Sequence, residues 1–401
     1  MSDTPYDEHF VSWFRAVTPY INAFRGKTFV IAFGGKAVAS EFAKTLAYDV
    51  NLLVSLGIRL VLVHGARPQI EEELREKNLE SVYHRGYRVT DALALDCVLD
   101  AVGSVYLEIE AMLSQGLPNT PMANSRIRVI GGNFITGQPI GVLDGIDMQY
   151  AGKVRKVDAE GINAQLGLGN IVLLNCEGPS PTGEIFNLQM EEAAEAVAVA
   201  IRADKLVYLT DSQGVTDQAG ELVDAMTADE VSELLTGGEW LSPDIRRYLP
   251  CAIRATRTGV GRVHLISYEQ DGALLRELST HDGVGTVVTR ESLENIREAK
   301  PDDIAALIAL IEPMEEEGIL VHRPRELLER EIEQFSIMLH DGIIVGCAAL
   351  YQHSDEEAEL ACLAVSAEHR EWGYGEQLMK RIEKRARKSG IKRLFVLTTR
   401  T

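Results

Sequence analysis

The sequence predicts an α/β protein of two domains, and three observations carry that prediction. The chain has 401 residues with 46% apolar content, too long for one ordinary core and apolar enough to bury two. From Thr28 onward, short β-rich apolar runs alternate with helical stretches: TFVIAF, a helical stretch through Val50 to Leu56, RLVLV, then PQIEEELREK. After GVGTVVTR, ending at Arg290, the polar segment ESLENIREAKPDDI interrupts this rhythm and a new one begins. The expected division is a first domain over 1–288, a linker over 289–298 and a second domain over 299–401.

Within the first domain, further strands are expected at 126–130, 170–174, 205–209 and 262–266, with helices such as MEEAAEAVAVAIR between them. Parallel strands joined by crossover helices suit this spacing. The second domain reads as a helix from Pro301 to Ile311, a charged helix from Glu326 to Gln334 and strands FSIMLH, IIVGCAALY and AELACLAV. A helix from Gly375 to Lys388 follows.

Sixty acidic residues against 40 basic ones give a formal charge of -20, which repels nucleic acid and anionic membranes and favours small-molecule ligands. No run of eighteen apolar residues is present, and the opening MSDTPYDEHF is acidic where a secretory signal would be basic and then apolar, so a cytoplasmic location is expected. Cys97, Cys176, Cys251, Cys347 and Cys362 are scattered without paired spacing, which predicts buried, reduced thiols with no metal site and no disulfide framework.

The stretch LACLAVSAEHREWGYGEQLMKRIEKRARK carries the chemistry: an apolar strand, a turn with Gly373 and Gly375, and a strongly helical segment. Glycines let backbone amides approach a ligand, and the helix that starts there aims its N–H groups and positive dipole end at the same point, so an anion is expected. The piece Arg370-Glu371-Trp372-Gly373-Tyr374-Gly375 resembles the pyrophosphate loop of the GNAT acetyltransferases. The resemblance implies acetyl-coenzyme A as cosubstrate, held by Arg370, Glu371, Gly373, Tyr374 and Gly375 and by a splayed strand, Leu360 to Val365, through Cys362, Leu363 and Val365. Amides near Leu363 would form the oxyanion hole, and no metal is required. Glu359 would be the base, unless it is one more solvated carboxylate of the acidic run DEEAE. Thr398 would assist the departing thiolate. The basic residues Lys380, Arg381, Lys384, Arg385, Arg387 and Lys388 either reach the cofactor's 3′-phosphate or form a solvated helix face.

In the first domain, FVIAFGGKAV, LVLVHGARPQI, GYRVTD, NIVLLN and ADKLVYLTDSQGV resemble the amino-acid kinase family over residues 20–289. Working members place a lysine two residues before the paired glycines; here Ala32 stands there. His64-Gly65-Ala66-Arg67-Pro68 replaces the glycine-rich substrate turn, and Lys36 projects from another part of the loop. Phosphoryl transfer is therefore not expected. The remaining matches imply an arginine pocket of Tyr20, Lys205, His264, Glu277 and Gly283. Glu277 would pair with a cationic group, carbonyls at Asp282 and Gly283 would accept further donors, and Lys205 would meet a carboxylate. Taken singly, His264 and Tyr20 also suit ordinary core packing. The helix FVSWFRAVTPYINAF would be an arm that joins subunits, implying a homohexamer.

A kinase-like domain followed by an acetyltransferase domain is similar to the architecture of the bacterial N-acetylglutamate synthase family. The resemblance implies acetylation of L-glutamate at the start of arginine biosynthesis, inhibited by L-arginine, with Arg323 and Val321 in the turn VHRPRE binding the substrate. In that family's fold a further helix and a pair of strands follow the position of Thr401, so the acetyltransferase domain is expected to be incomplete at its end. A non-catalytic arginine sensor and an acetylglutamate kinase are the alternative readings.

Overall fold

The computed structural model describes residues 6–279, 283–290, 294–340, 342–369 and 373–397. Its chain forms two compact units, Met1–Glu291 and Ser292–Thr401.

In the first unit the sheet strands are β1 (Thr28–Phe33), β2 (Arg59–His64), β3 (Val129–Ile130), β4 (Ile171–Leu174), β5 (Lys205–Thr210), β6 (Ala225–Thr227), β7 (Arg262–Ser267) and β8 (Thr286–Thr289). They lie in the order β6-β8-β7-β5-β1-β2-β4-β3, and all pairings are parallel except the antiparallel pair β7 and β8. Because side chains alternate along a strand, β1 sends Phe29, Ile31 and Phe33 into one core and Val30 and Ala32 into the other. Helix α1 (Tyr6–Phe24) precedes the sheet, and α2 (Arg67–Glu76) follows β2. Helix α3 (Ala92–Leu113) covers the Phe29 face with Val98, Val102 and Val105. Helices α4 (Met190–Ala200) and α5 (Pro243–Arg257) cover the other face with Ala194, Val197, Leu249 and Ala252. Helix α6 (Ala273–Ser279) follows β7. This is the expected three-layer, mainly parallel architecture. Of the strand expected at 126–130, only Val129–Ile130 form β3, because at the sheet edge the pairing with β4 spans just Ile171↔Val129 and Val172↔Ile130.

The second unit contains β9 (Glu294–Glu298), α7 (Ile304–Glu316), α8 (Arg325–Glu331), β10 (Phe335–His340), β11 (Ile343–Gln352), β12 (Glu357–Val365), α9 (Tyr374–Lys388) and β13 (Arg393–Val396). Strand order follows chain order, with antiparallel pairs up to β12 and a parallel pair between β12 and β13. Residues 294–298, expected within the linker, form the edge strand β9 instead. Its polarity disguised it, since Ile296 packs into the core while Arg297 turns out to an ion pair with Asp303 at 2.7 Å. Helix α7 packs Leu307, Ile311 and Met314 on one face of the sheet, and α9 packs Leu378, Ile382 and Ala386 on the other. All five cysteines are buried and free.

Candidate active site

Strand β12 is irregular at its functional end. Cys347 pairs with Ala364 and Ala349 with Ala361, so Cys362 and Leu363 together oppose Ala348 in a β-bulge. Cys362 takes a left-handed φ of 50°, uncommon for a residue with a side chain and typical of bulges that re-aim backbone groups. The Cys347 thiol donates to the Cys362 carbonyl at 3.4 Å, fixing the bulge from below. On the opposite edge, pairing with β13 runs from Glu357↔Arg393 to Leu360↔Val396, and among the described residues no strand pairs there with residues 361–365. Among the described residues, backbone groups on that edge are therefore open to a ligand. Cys362 itself is buried toward α7, while Leu363 and Val365 lie on the α9 face.

The glycine turn comes next to this edge. Gly373 caps α9 with φ of 75°, a conformation that glycine adopts without strain. A Cβ on Gly375 would lie 3.9 Å from Val365 Cγ2, an ordinary contact, so packing does not require glycine there and the first helical turn stands open beside β12. Of the first-turn amides, that of Glu376 donates to the Gly373 carbonyl at 3.1 Å, and the earlier ones precede any carbonyl of their own helix. The Tyr374 ring turns inward: it is fully buried, stacks on His369 with centroids 5.9 Å apart, and bonds His340 Nδ1 through its hydroxyl at 2.7 Å. Any contact of Tyr374 with a ligand is therefore left to its main chain. Arg370, Glu371 and Thr398 lie outside the described residues. In the basic helix, Lys380 pairs with Glu376 and Arg387 with Glu383, while Arg385 caps the carbonyl of Gln334.

Glu359 stands opposite Tyr351 of β11 and beside Phe395 of β13. Its side chain is 16% exposed and its Oε2 lies 3.1 Å from Nε2 of His353. Tyr351 belongs to the face covered by α7, so Glu359 shares that face with Cys362. Burial and a hydrogen bond to Glu331 push Tyr351 up to about 12, against the opposing charge of Arg323. The Cys362 thiol is held below its ordinary value by the hydrogen bond with Cys347 and by the same Arg323 charge. Arg323 therefore stands electrostatically close to both Tyr351 and the bulge. The turn that carries it is pinned by Glu315, at the end of α7. This carboxylate accepts the Arg323 amide at 2.9 Å and faces His322 Nδ1 at 2.7 Å, while Arg323 Nη1 donates to the Val321 carbonyl at 2.9 Å. His353, Glu315 and Tyr351 went unnoticed in the sequence. Nothing in a linear pattern couples Glu315 to a turn eight residues on, although its place beside the apolar α7 stripe was a faint signal.

In the first unit, Lys205, His264, Glu277 and Gly283 come together. Lys205 Nζ lies 3.1 Å from His264 Nε2, and His264 Nδ1 lies 2.6 Å from Glu277 Oε1. The amides of Val284 and Gly285 donate to Glu277 Oε2 at 2.7 and 3.1 Å. A Cβ on Gly283, whose φ is 56°, would come within 2.6 Å of that oxygen. Burial lowers His264 to about 4, so its ring is neutral, donating from Nδ1 to the carboxylate and accepting from Lys205 at Nε2. Burial likewise brings Lys205 down to about 7. Burial alone would raise Glu277, but the bonds from His264 and the two amides hold it below the usual carboxylate range. Lys205 also sits over the Phe24 ring at 5.0 Å, and Tyr20 joins the group through Phe24, ring centroids 6.2 Å apart. Phe24 was not foreseen. Asp282 lies outside the described residues.

A cavity of about 680 Å³ in this unit is lined by Gly34, Gly35, Lys36, Arg67 and Asp211 among others. Ala32, before the paired glycines, is fully buried, and Lys36 is engaged by Asp211. Among the described residues no group of His, Cys, Asp and Glu side chains could hold a metal ion, and no helix is long and apolar enough to cross a membrane.

A bulged strand with an open edge, a glycine turn at a helix start and a carboxylate on the same sheet define an acyltransferase unit of GNAT type, carried in one chain with a kinase-fold unit. The model of the amino acid kinase family matches residues 27–267, and that of the acetyltransferase (GNAT) family matches residues 304–401. An amino-acid acetyltransferase of Ralstonia nicotianae is 49% identical over 399 residues, covering 99% of this chain and 88% of the relative. One from Ectopseudomonas mendocina is 50% identical over 394 residues, covering 98% and 90%. The crystal structure of N-acetylglutamate synthase from Neisseria gonorrhoeae complexed with coenzyme A and L-arginine superimposes with a TM-score of 0.90 at 41% identity, covering 98% of this chain and 91% of that one. The chain belongs to the amino-acid acetyltransferases, and in it an amino acid kinase family domain is joined to a GNAT domain.

Proposed function

We propose that this enzyme transfers the acetyl group of acetyl-coenzyme A to the α-amino group of L-glutamate, as the first step of arginine biosynthesis, and that L-arginine inhibits it from the first unit. The observation that carries this reading is the shared sheet face of Glu359, Tyr351 and the Cys362 bulge, with Arg323 electrostatically beside it. The neighbour from Neisseria gonorrhoeae, solved with coenzyme A and L-arginine and also with coenzyme A and N-acetyl-glutamate, supports the choice of ligands.

Under this reading Arg323 holds a substrate carboxylate through two parallel bonds, and the Val321 carbonyl orients the amine. Glu359 removes a proton from the ammonium. The nitrogen then forms a bond to the thioester carbon, and the Leu363 amide steadies the oxyanion, a type of contact worth roughly 10²–10³ in rate. The C–S bond breaks, and the departing thiolate takes up the second proton that the nitrogen sheds. The open edge at 361–365 fits a pantetheine arm, and the start of α9 fits a pyrophosphate. Lys205, His264, Glu277 and Gly283 provide the arginine pocket, and the same reading includes a cytoplasmic homohexamer.

Thiol release from acetyl-coenzyme A, with glutamate as acceptor and with or without arginine, tests the proposal. Glutamate-dependent release suppressed by arginine is expected. Arginine binding by calorimetry without any release would establish a sensor instead. Light scattering on the eluted protein checks the hexamer.

A further inference from the structure

We propose that His353 is a positioning residue that orients Glu359 and carries the substrate's surplus proton from it to solvent. The inference rests on the reading of Glu359 as the base. Proton balance creates the need. Glutamate enters as an ammonium with three protons on nitrogen and leaves as an amide with one. As the N–C bond forms and the C–S bond breaks, one of the two lost protons stays with the thiol of the product. The other must reach bulk water in every turnover.

Glu359 is badly placed to release that proton alone, since its side chain is 16% exposed, whereas His353 is 52% exposed. Nε2 of His353 lies 3.1 Å from Glu359 Oε2, within the range for direct proton transfer. The residue is held at main chain and side chain. Its backbone amide donates to the Glu357 carbonyl at 3.0 Å, and its ring lies tilted against Phe395 with centroids 5.4 Å apart. The turn that follows holds three further carboxylates, Asp355, Glu356 and Glu357. Glu356 is engaged by Lys392, and Glu357 by Arg393 at 3.1 Å. Tyr351, opposite Glu359, feels the charges of Glu331 and Arg323. His353 is thus Glu359's neighbour on the solvent side, and an imidazole can take a proton at one nitrogen and release it from the other.

The test uses the full chain with His353→Ala and His353→Gln, each checked for an unchanged melting temperature. A fall in kcat of roughly 10–100-fold, with the KM values for glutamate and acetyl-coenzyme A unchanged, is expected of both. Added imidazole should restore the rate of His353→Ala saturably. Unchanged kcat in both variants, or a loss that imidazole does not relieve, overturns the relay. Glu359→Gln in parallel separates the two claims: if that variant keeps full kcat, the reading of Glu359 as base has failed, and the relay with it. If it is inactive and deaf to imidazole while His353→Ala is rescued, both stand.

Discussion

Glu315 accepts the backbone amide of Arg323 at 2.9 Å, so a buried carboxylate at the end of one helix sets the direction in which the neighbouring guanidinium leaves the turn. If Arg323 grips a substrate carboxylate, its removal should be felt in binding. Charge-assisted bonds of this kind contribute about 1.5–3 kcal/mol, so Arg323→Ala is expected to raise the glutamate KM roughly 10–150-fold while leaving that for acetyl-coenzyme A alone. Glu315→Ala should raise the glutamate KM by a smaller factor, because the guanidinium remains but its turn loosens. Steady-state kinetics on both variants decides this, and an unchanged glutamate KM in Arg323→Ala would remove the residue from the site.

Glu359→Gln keeps the shape and loses the basicity. The expected result is a drop in kcat of about 10²–10⁴-fold, the range for a lost general base. Acetyl-coenzyme A affinity, followed by calorimetry, should be preserved, because the open strand edge and the start of α9 are untouched. A variant with normal kcat would return Glu359 to the solvated acidic run in which it lies.

The sequence made the layers legible because strands buried on both faces read as continuous apolar runs, as in Phe29 to Phe33, and because Gly373 and Gly375 announce a turn before an obvious helix. It failed at the sheet edges. Strand β9 exposes one side, and Arg297 finds Asp303 through the fold, so its polar letters read as linker. In the sites, residue types with intrinsic chemistry could be picked out, as with Glu359, Arg323 and Glu277. Their supports could not. The orientation of Tyr374 depends on His340 and His369, the bulge depends on the register between β11 and β12, and the Glu315 clamp depends on the turn after α7. These are tertiary relationships, which a one-dimensional pattern does not encode.

Gly375→Ala separates a ligand-approach glycine from a structural one. The added methyl would touch Val365 at an ordinary distance in a helical turn where alanine is favoured, so the melting temperature should hold or rise slightly. The same methyl would stand between the helix amides and a pyrophosphate, so the acetyl-coenzyme A KM should rise at least about tenfold, equivalent to 1.4 kcal/mol of lost binding. Gly373→Ala should be worse in both respects. Its φ of 75° costs a side-chain-bearing residue roughly 1 kcal/mol. Loss of stability without any KM change in Gly375→Ala would mean that no anion approaches there.

The buried cluster of the first unit should make stability depend on pH with a predictable sign. His264 titrates near 6.5 when unfolded and at about 4 when folded. Between those values the unfolded chain therefore binds a proton that the folded one refuses, and stability falls as pH drops from 6.5 to 4. The loss is on the order of 3 kcal/mol from this group. Glu277, whose pKa is lowered in the folded chain, adds its own loss only as the pH falls through the usual carboxylate range. His264→Gln should flatten the calorimetric melting temperature of this unit between pH 6.5 and 4, even if the variant starts lower. Arginine at about a hundred times its Kd should raise the wild-type melting transition by the equivalent of about 2.7 kcal/mol. Glu277→Ala should abolish that rise, because it removes the anion that a guanidinium would need, and a retained arginine shift would place the effector elsewhere.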